Sequence, residues 1–245
     1  MTYAPFSTFG SDRPGAWLIT CDHATNTIPK FIGNGTLGLP KSEMKRHIAY
    51  DIGCKRVALA LGEKLNAPVI CSNFSRLVID PNRGVDDPTL IMQLYDGTVI
   101  PGNQNLSSIS RQTRINQLYQ PYHKAISELA ARPEIAIISV HSFTPRLNGR
   151  ETRPWEVSIL SAYDRRIADP LITRLQKTLS TPVGDNEPYR GHLPGDTIYQ
   201  HALKKARPNA LIEIRQDLIT KLDSQIHWAK LIGSHLEHAR KDANI

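Results

Sequence analysis

Several chemistry-bearing side chains in this chain stand directly at the ends of short apolar runs. Asp22-His23 follows Ala16–Thr20, and His141-Ser142 follows the fully apolar Ile135–Val140. Neutral imidazole is the commonest metal ligand, so two histidines at strand ends raise the idea of a shared divalent ion. The structural alternative is that each histidine caps its strand or bonds a loop. Asp80-Pro81-Asn82-Arg83 follows another apolar stretch. A guanidinium there can clamp a carboxylate bidentately, with the Asn82 amide as a further donor. Asp, Pro and Asn are also turn formers, and spacing alone favours a simple turn.

Glu213 is the least expected charge, because it interrupts the apolar run Asn209–Ile214. Alternation puts Glu213 and Arg215 on one face of a strand, with Ile212 and Ile214 on the other. A carboxylate there is costly unless it is paired or used, so an ion pair with Arg215 and general-base work stand side by side. His192 and His201 flank a Gly-containing stretch suited to a flexible lid. Asn73, Arg76, His47, Tyr50 and Asp51 are candidates either for a pocket lining or for helix and loop surfaces. Asp51 in particular reads as solvated.

The elements that must position these groups follow from hydrophobic period. Strands are expected at Ala16–Thr20, Pro68–Ser72, Arg76–Asp80, Ile135–Val140, Glu156–Ser161 and Asn209–Ile214. Helices are expected over Lys41–Asn66, where Met44, Ile48 and Ile52 recur every four residues, and from about Ser110 with a break or kink at Pro121. Two more are expected, over Arg165–Ser180 and along the stripe Leu218, Leu222, Ile226, Ala229, Ile232, Leu236. Alternating strands and helices predict a three-layer α/β fold, a mostly parallel or mixed sheet with helices on both faces, built as a single domain over residues 1–245. In such sheets ligands bind beyond the carboxyl ends of the strands, where His23 and His141 fall.

Composition narrows the class. A 40% hydrophobic share with 22% charged residues describes a globular chain with ample core, not a disordered one. No apolar run reaches the roughly 18 residues of a membrane span, and the N-terminal stretch lacks a secretory pattern. Three cysteines without CxxC spacing predict reduced thiols and a cytoplasmic location. The balance of 30 basic against 23 acidic residues gives +7, but the charges are scattered, which argues against nucleic acid. A solvated basic surface and a positive field that steers small acidic ligands inward fit this balance equally. No GxSxG, P-loop or GxGxxG occurs, so the serine hydrolase, NTPase and dinucleotide readings lose their usual support.

Five segments taken in order carry a family resemblance. They are Cys21–Pro29 (CDHATNTIP), His47–Gly53 (HIAYDIG), Ser75–Arg83 (SRLVIDPNR), His141–Pro145 (HSFTP) and Ile212–Leu218 (IEIRQDL). Together they resemble the N-formylglutamate amidohydrolase family, over about residues 15 to 235. That family is similar in turn to the zinc-dependent exopeptidases. Zinc carboxypeptidases order their parts as a first-strand His, an Asn-Arg pair, a His-Ser-aromatic segment and a Glu-containing strand. The resemblance implies one Zn²⁺ held by His23 and His141, a substrate carboxylate held by Arg83 with Asn82 and Arg76, and Glu213 as general base. It adds His192 and His201 as substrate-side candidates. The carboxypeptidase pattern places a ligand Glu three residues after the first His. Asn26 stands there in this chain, so the third ligand is either Asn26 or Asp22.

The implied activity is hydrolysis of a small acidic N-acyl amino acid, N-formyl-L-glutamate first, to formate and glutamate, as at the end of histidine breakdown. Two alternatives stand beside it. One is a carboxypeptidase-like enzyme or another N-acyl amino acid deacylase; the other is a non-catalytic relative that binds an acidic ligand. The sequence leaves the oligomeric state open.

Overall fold

Seven strands form one mixed sheet in the computed structural model, which describes residues 3–245. They are β1 (Phe6–Phe9), β2 (Trp17–Cys21), β3 (Val69–Ser72), β6 (Ala136–Phe143), β7 (Val157–Leu160), β8 (Gly184–Asp185) and β9 (Asn209–Arg215). Between β3 and β6 the chain makes a separate two-stranded ribbon, β4 (Leu94–Tyr95) and β5 (Thr98–Val99). The sheet order is β1-β3-β2-β6-β9-β7-β8. The four central strands β3, β2, β6 and β9 run parallel, whereas β1 pairs antiparallel with β3, and β7 antiparallel with β9.

Alternation along the central strands sorts side chains between two helical layers. Ile19, Ile138, Val140, Ile212 and Ile214 face α1 (Cys54–Lys64), α4 (Ala168–Thr178) and α6 (Leu222–Asp242) in the largest core cluster. Leu18, Ile137 and Leu211 face the opposite layer, which holds α3 (Gln120–Leu129) and α5 (Thr197–His201). The expected three-layer architecture is therefore present. Along β6 the second face continues from Ile137 through Ser139 to His141, and along β9 from Leu211 to Glu213. The same alternation that builds the core thus delivers both polar side chains to one face. A third apolar cluster, including Ile48, Phe74, Leu77, Ile79, Ile100 and Leu118, packs the long connections against each other beside the sheet.

Three expectations fail. The segment 41–53 is turns with a short 3₁₀ stretch, and α1 begins only at Cys54. Gly53 stops any helix entering from upstream: its φ is +83°, and a Cβ there would lie 2.3 Å from the Ile219 carbonyl oxygen. Arg76–Asp80 is not a strand. Leu77, Val78 and Ile79 are all fully buried in the third cluster, so no alternation of faces exists to support one. Pro121 does not break its helix either. α2 (Ser108–Arg114) passes through a π turn at Ile115–Tyr119 straight into α3, and the proline lies two residues past that turn, where the regular hydrogen-bond ladder is already interrupted. No helix among the described residues is long and apolar enough to cross a membrane.

Candidate active site

The carboxyl ends of β2, β6 and β9 converge on a buried polar cluster at one end of the second sheet face. His23 stands two residues past β2, and His141 and Glu213 are directly paired residues on adjacent β6 and β9. Asp51 enters from the turn before α1, its amide N–H bonded to the His23 carbonyl at 3.0 Å. Its carboxylate is 4% exposed and lies between the two imidazoles. Asp51 Oδ2 is 3.2 Å from His23 Nδ1 and 2.8 Å from His141 Nδ1, and it accepts the Ser142 amide at 3.3 Å. The solvated position expected for Asp51 is therefore corrected: the helix starts later, and the carboxylate turns inward.

Each imidazole is gripped on its other nitrogen. His23 Nε2 is 2.7 Å from Asp80 Oδ1, and His141 Nε2 is 3.3 Å from Asp22 Oδ2 and 2.9 Å from Ser139 Oγ. Asp22 is fixed in turn by donors from Tyr122 (2.7 Å) and Thr197 (3.0 Å) on its Oδ1. Asp80 accepts two guanidinium bonds from Arg76, at 2.8 and 3.1 Å, and the Asn82 amide at 2.9 Å. These contacts shift the titrations. Burial opposes ionisation of Asp22, but the His141 hydrogen bond wins and holds it at about 2. Burial likewise depresses the His141 imidazole, yet its bonds to Asp22 and Asp51 raise it to about 10.

Glu213 is treated differently. It is 7% exposed, and its Oε2 is buried with no hydrogen-bond partner. Burial raises its carboxyl to about 7, against the pull of His141, His23 and Arg76. The ion pair with Arg215 does not form: Arg215 bonds Asp217 at 2.9 Å and reaches the carbonyls of Arg153 and Trp155. A desolvated carboxyl tuned near neutrality and left without a partner has the character of an acid–base group.

His23, Asp51, His141 and Glu213 line a cavity of about 130 Å³, together with His47, Arg83, Tyr95, Tyr189, Arg190 and Asp196. Arg83 spends Nε on Thr89 (3.1 Å) and Nη1 on the Asn82 carbonyl (2.8 Å), and its remaining nitrogen has no partner among the described residues. Arg76 lines the cavity too, but its guanidinium is committed to Asp80 and Asp51.

A family model for N-formylglutamate amidohydrolase matches residues 15–220. The chain belongs to this family. The chemistry is accordingly that of an amide hydrolase. In structure the chain is similar to a gene product from Agrobacterium tumefaciens, at 33% identity and a TM-score of 0.92, over 99% of this chain and 97% of that one. It is also similar to N-formylglutamate amidohydrolase from Ralstonia eutropha JMP134, at 20% identity and a TM-score of 0.75, over 98% and 100% of the two chains. The tripeptide-bound cell shape determinant Csd4 from Helicobacter pylori shares the fold at 14% identity and a TM-score of 0.51, over 98% of this chain and 56% of that one. No curated protein matches the sequence.

Within this amidohydrolase fold, the residues singled out from sequence separate into groups. His23, His141, Glu213, Asn82, Arg83 and Arg76 meet at the cavity. Asn26 does not: its amide donates to the Met44 carbonyl at 2.6 Å. Asp22 lies behind His141 as its partner and is not among the cavity-lining residues. The donors that converge are His23, Asp51 and His141, all within 4.8 Å of one another. His192 is exposed and outside the cavity, near the rings of Tyr163 and Tyr199. His201 is buried elsewhere, 2.8 Å from His123 Nδ1 and stacked on its ring. Asp51, His47, Tyr189, Arg190 and Asp196 are also part of the lining. The signal for Asp51 was present in Tyr50-Asp-Ile-Gly53, an acid two residues before a glycine that opens a helix.

Proposed function

We propose that this chain is a divalent-metal-dependent deacylase of small acidic N-acyl amino acids, with N-formyl-L-glutamate the first choice and formate and glutamate the products. The observation that carries this reading is the unpartnered Glu213 carboxyl beside two imidazoles whose Nδ1 atoms converge on one carboxylate oxygen.

The donor set fits a cation. Two imidazoles and a carboxylate are a common zinc set that leaves a further position open, and the carboxylates on both Nε2 atoms are the outer partners such histidines ordinarily have. His23, His141 and Asp51 would hold the ion; its positive charge would take the place of the proton between His141 Nδ1 and Asp51. When bound, Zn²⁺ supplies Lewis-acid polarisation of the amide carbonyl and a lowered pKa for water. Asp80 and Asp22 keep each Nε2 protonated and each Nδ1 turned to the site. Glu213 accepts a proton from the attacking water and returns it to the departing amine nitrogen, a role open to a buried carboxylate whose Oε2 has no other partner. Arg83 offers its free nitrogen to the carboxylate beside the scissile amide and so fixes the carbonyl's position. Arg76 acts through Asp80 and Asp51, orienting the carboxylates and leaving substrate to Arg83. Three free, buried cysteines suit a reducing, cytoplasmic setting.

The test is metal content of the purified protein, followed by formate release from N-formyl-L-glutamate with and without added zinc. About one zinc per chain with zinc-dependent release is expected. Metal with no release, but with cleavage of other N-acyl or peptide substrates, would replace the substrate. Neither metal nor turnover would leave a ligand-binding relative.

A further inference from the structure

Three guanidiniums line the cavity, and their commitments differ. Arg76 is locked onto Asp80 and Asp51. Arg83 is half committed and sits on the turn that also carries Asp80 and Asn82. Arg190 makes no side-chain hydrogen bond or ion pair among the described residues, and it lies exposed while still lining the cavity. Arg83 is thus the inner cation and Arg190 the one at the mouth.

The backbone beneath Arg190 is held in place. Asn186 Oδ1 accepts the amide of Gly191 at 2.9 Å and that of Ser161, at the end of β7, at 3.0 Å. A Cβ on Gly191 would lie 2.2 Å from the Ser161 nitrogen, so only glycine lets the segment lie this close to the sheet. On the other side, Tyr189 is held by Arg153, whose guanidinium covers its ring at 5.1 Å and bonds its hydroxyl at 3.2 Å. Arg190 therefore stands between two anchored neighbours with a free head group. Such an arrangement anchors the backbone that carries the cation and leaves the guanidinium unsatisfied internally. Asp196, which lines the same cavity, is turned to cap α5, accepting the Tyr199 amide at 2.6 Å.

We propose that Arg190 is the specificity-determining residue that reads the second, distal carboxylate of a dianionic N-acyl amino acid. The inference rests on the deacylase reading above. In an N-acylglutamate the α-carboxylate adjoins the scissile amide and belongs with the inner Arg83. The side-chain carboxylate projects outward by two methylenes and meets the guanidinium at the mouth. A free arginine offers it a charge-assisted, bidentate contact, which a neutral amide cannot accept equally well.

The experiment compares kcat/KM for N-formyl-L-glutamate and N-formyl-L-glutamine in the wild-type holoenzyme, Arg190→Gln and Arg190→Lys. Because Arg190 is exposed and unpartnered, neither variant threatens the fold. The wild type is expected to prefer glutamate. Arg190→Gln should cut that preference about ten- to hundredfold, the range for one charge-assisted contact, chiefly through KM, and Arg190→Lys should restore part of it. An unchanged preference, or a loss shared equally by both substrates, overturns the assignment of Arg190 while leaving the deacylase standing. Absence of turnover of either compound by the wild type overturns the deacylase reading and this inference with it.

Discussion

Replacing Glu213 by Gln should slow the enzyme and stabilise the fold at the same time. Shape and burial are retained, while the proposed base is lost, so kcat should fall at least about a hundredfold. Stability moves the other way. Burial raises the carboxyl from 4.5 to about 7 in the metal-free protein. The folded state therefore holds a proton that the unfolded chain has released over that window. The Glu213 contribution is full below about pH 4.5, is lost as pH rises towards 7, and stays lost above it. The difference, 7 − 4.5 = 2.5 units, corresponds to about 3 kcal/mol as an upper bound at pH 8. For a chain of this size that is roughly 6–12 °C in Tm. The new amide N–H₂ needs partners of its own and will reduce the gain. The assay is formate release by the zinc-loaded variant, alongside thermal melts of chelator-stripped wild type and variant at pH 4.5 and pH 8. The expected pattern is a large rate loss, with a Tm advantage at pH 8 that shrinks at pH 4.5. Full activity, or a lower Tm at pH 8, would refute the reasoning and make Glu213 a structural group.

Other outcomes follow from the same geometry. Asp51→Asn should lower zinc retention at least about tenfold on dialysis, since an uncharged amide replaces the carboxylate shared by both imidazoles, whereas Asn26→Ala should keep the metal and cost only about 1 kcal/mol through its bond to the Met44 carbonyl. The opposite ranking of those two variants would move the third ligand to Asn26. Asp196→Asn keeps a capping side chain but removes a carboxyl that burial raises from 3.8 to about 7. Its Tm advantage over wild type should open between pH 4 and pH 7 and reach at most about 4 kcal/mol, from 7 − 3.8 = 3.2 units; an advantage equal at both ends of the range would contradict this. Gly191→Ala should destabilise the chain and weaken the preference for glutamate over glutamine, because its Cβ must push the segment off Ser161; differential melts and the two-substrate comparison check both.

The parts legible in sequence are those where one physical signal dominates. Ile135–Val140 and Asn209–Ile214 are apolar on both faces because both faces of the central sheet are covered, and Glu213 was conspicuous against that background. The stripe of the last helix was similarly plain, although Leu218 falls in a 3₁₀ turn and α6 begins at Leu222. The connections were harder. Met44, Ile48 and Ile52 recur at helical spacing, but in the folded chain Ile48 serves the third apolar cluster from a turn. That misreading hid Asp51, since a carboxylate in mid-helix is ordinarily wet. Arg76–Asp80 resembles a strand because its apolar residues are all buried, among loops and the π turn at Ile115–Tyr119, a setting that hydrophobic period does not describe. Which candidates meet depended on long-range pairing: His201 shares its residue type with His23 and His141, but it packs on His123 behind the site.

The three converging donors come from three distant parts of the chain. His23 and Asp51 are 28 residues apart, and Asp51 and His141 are 90. An unfolded chain therefore offers a metal ion no ready-made chelate, and binding belongs almost wholly to the folded state. By mass action, each tenfold rise in free zinc above the dissociation constant should add about 1.4 kcal/mol to the unfolding free energy. With zinc bound as proposed, metal supply would govern how long each molecule survives proteolysis as well as how fast it turns over, and a cell short of zinc would lose the protein itself along with its activity.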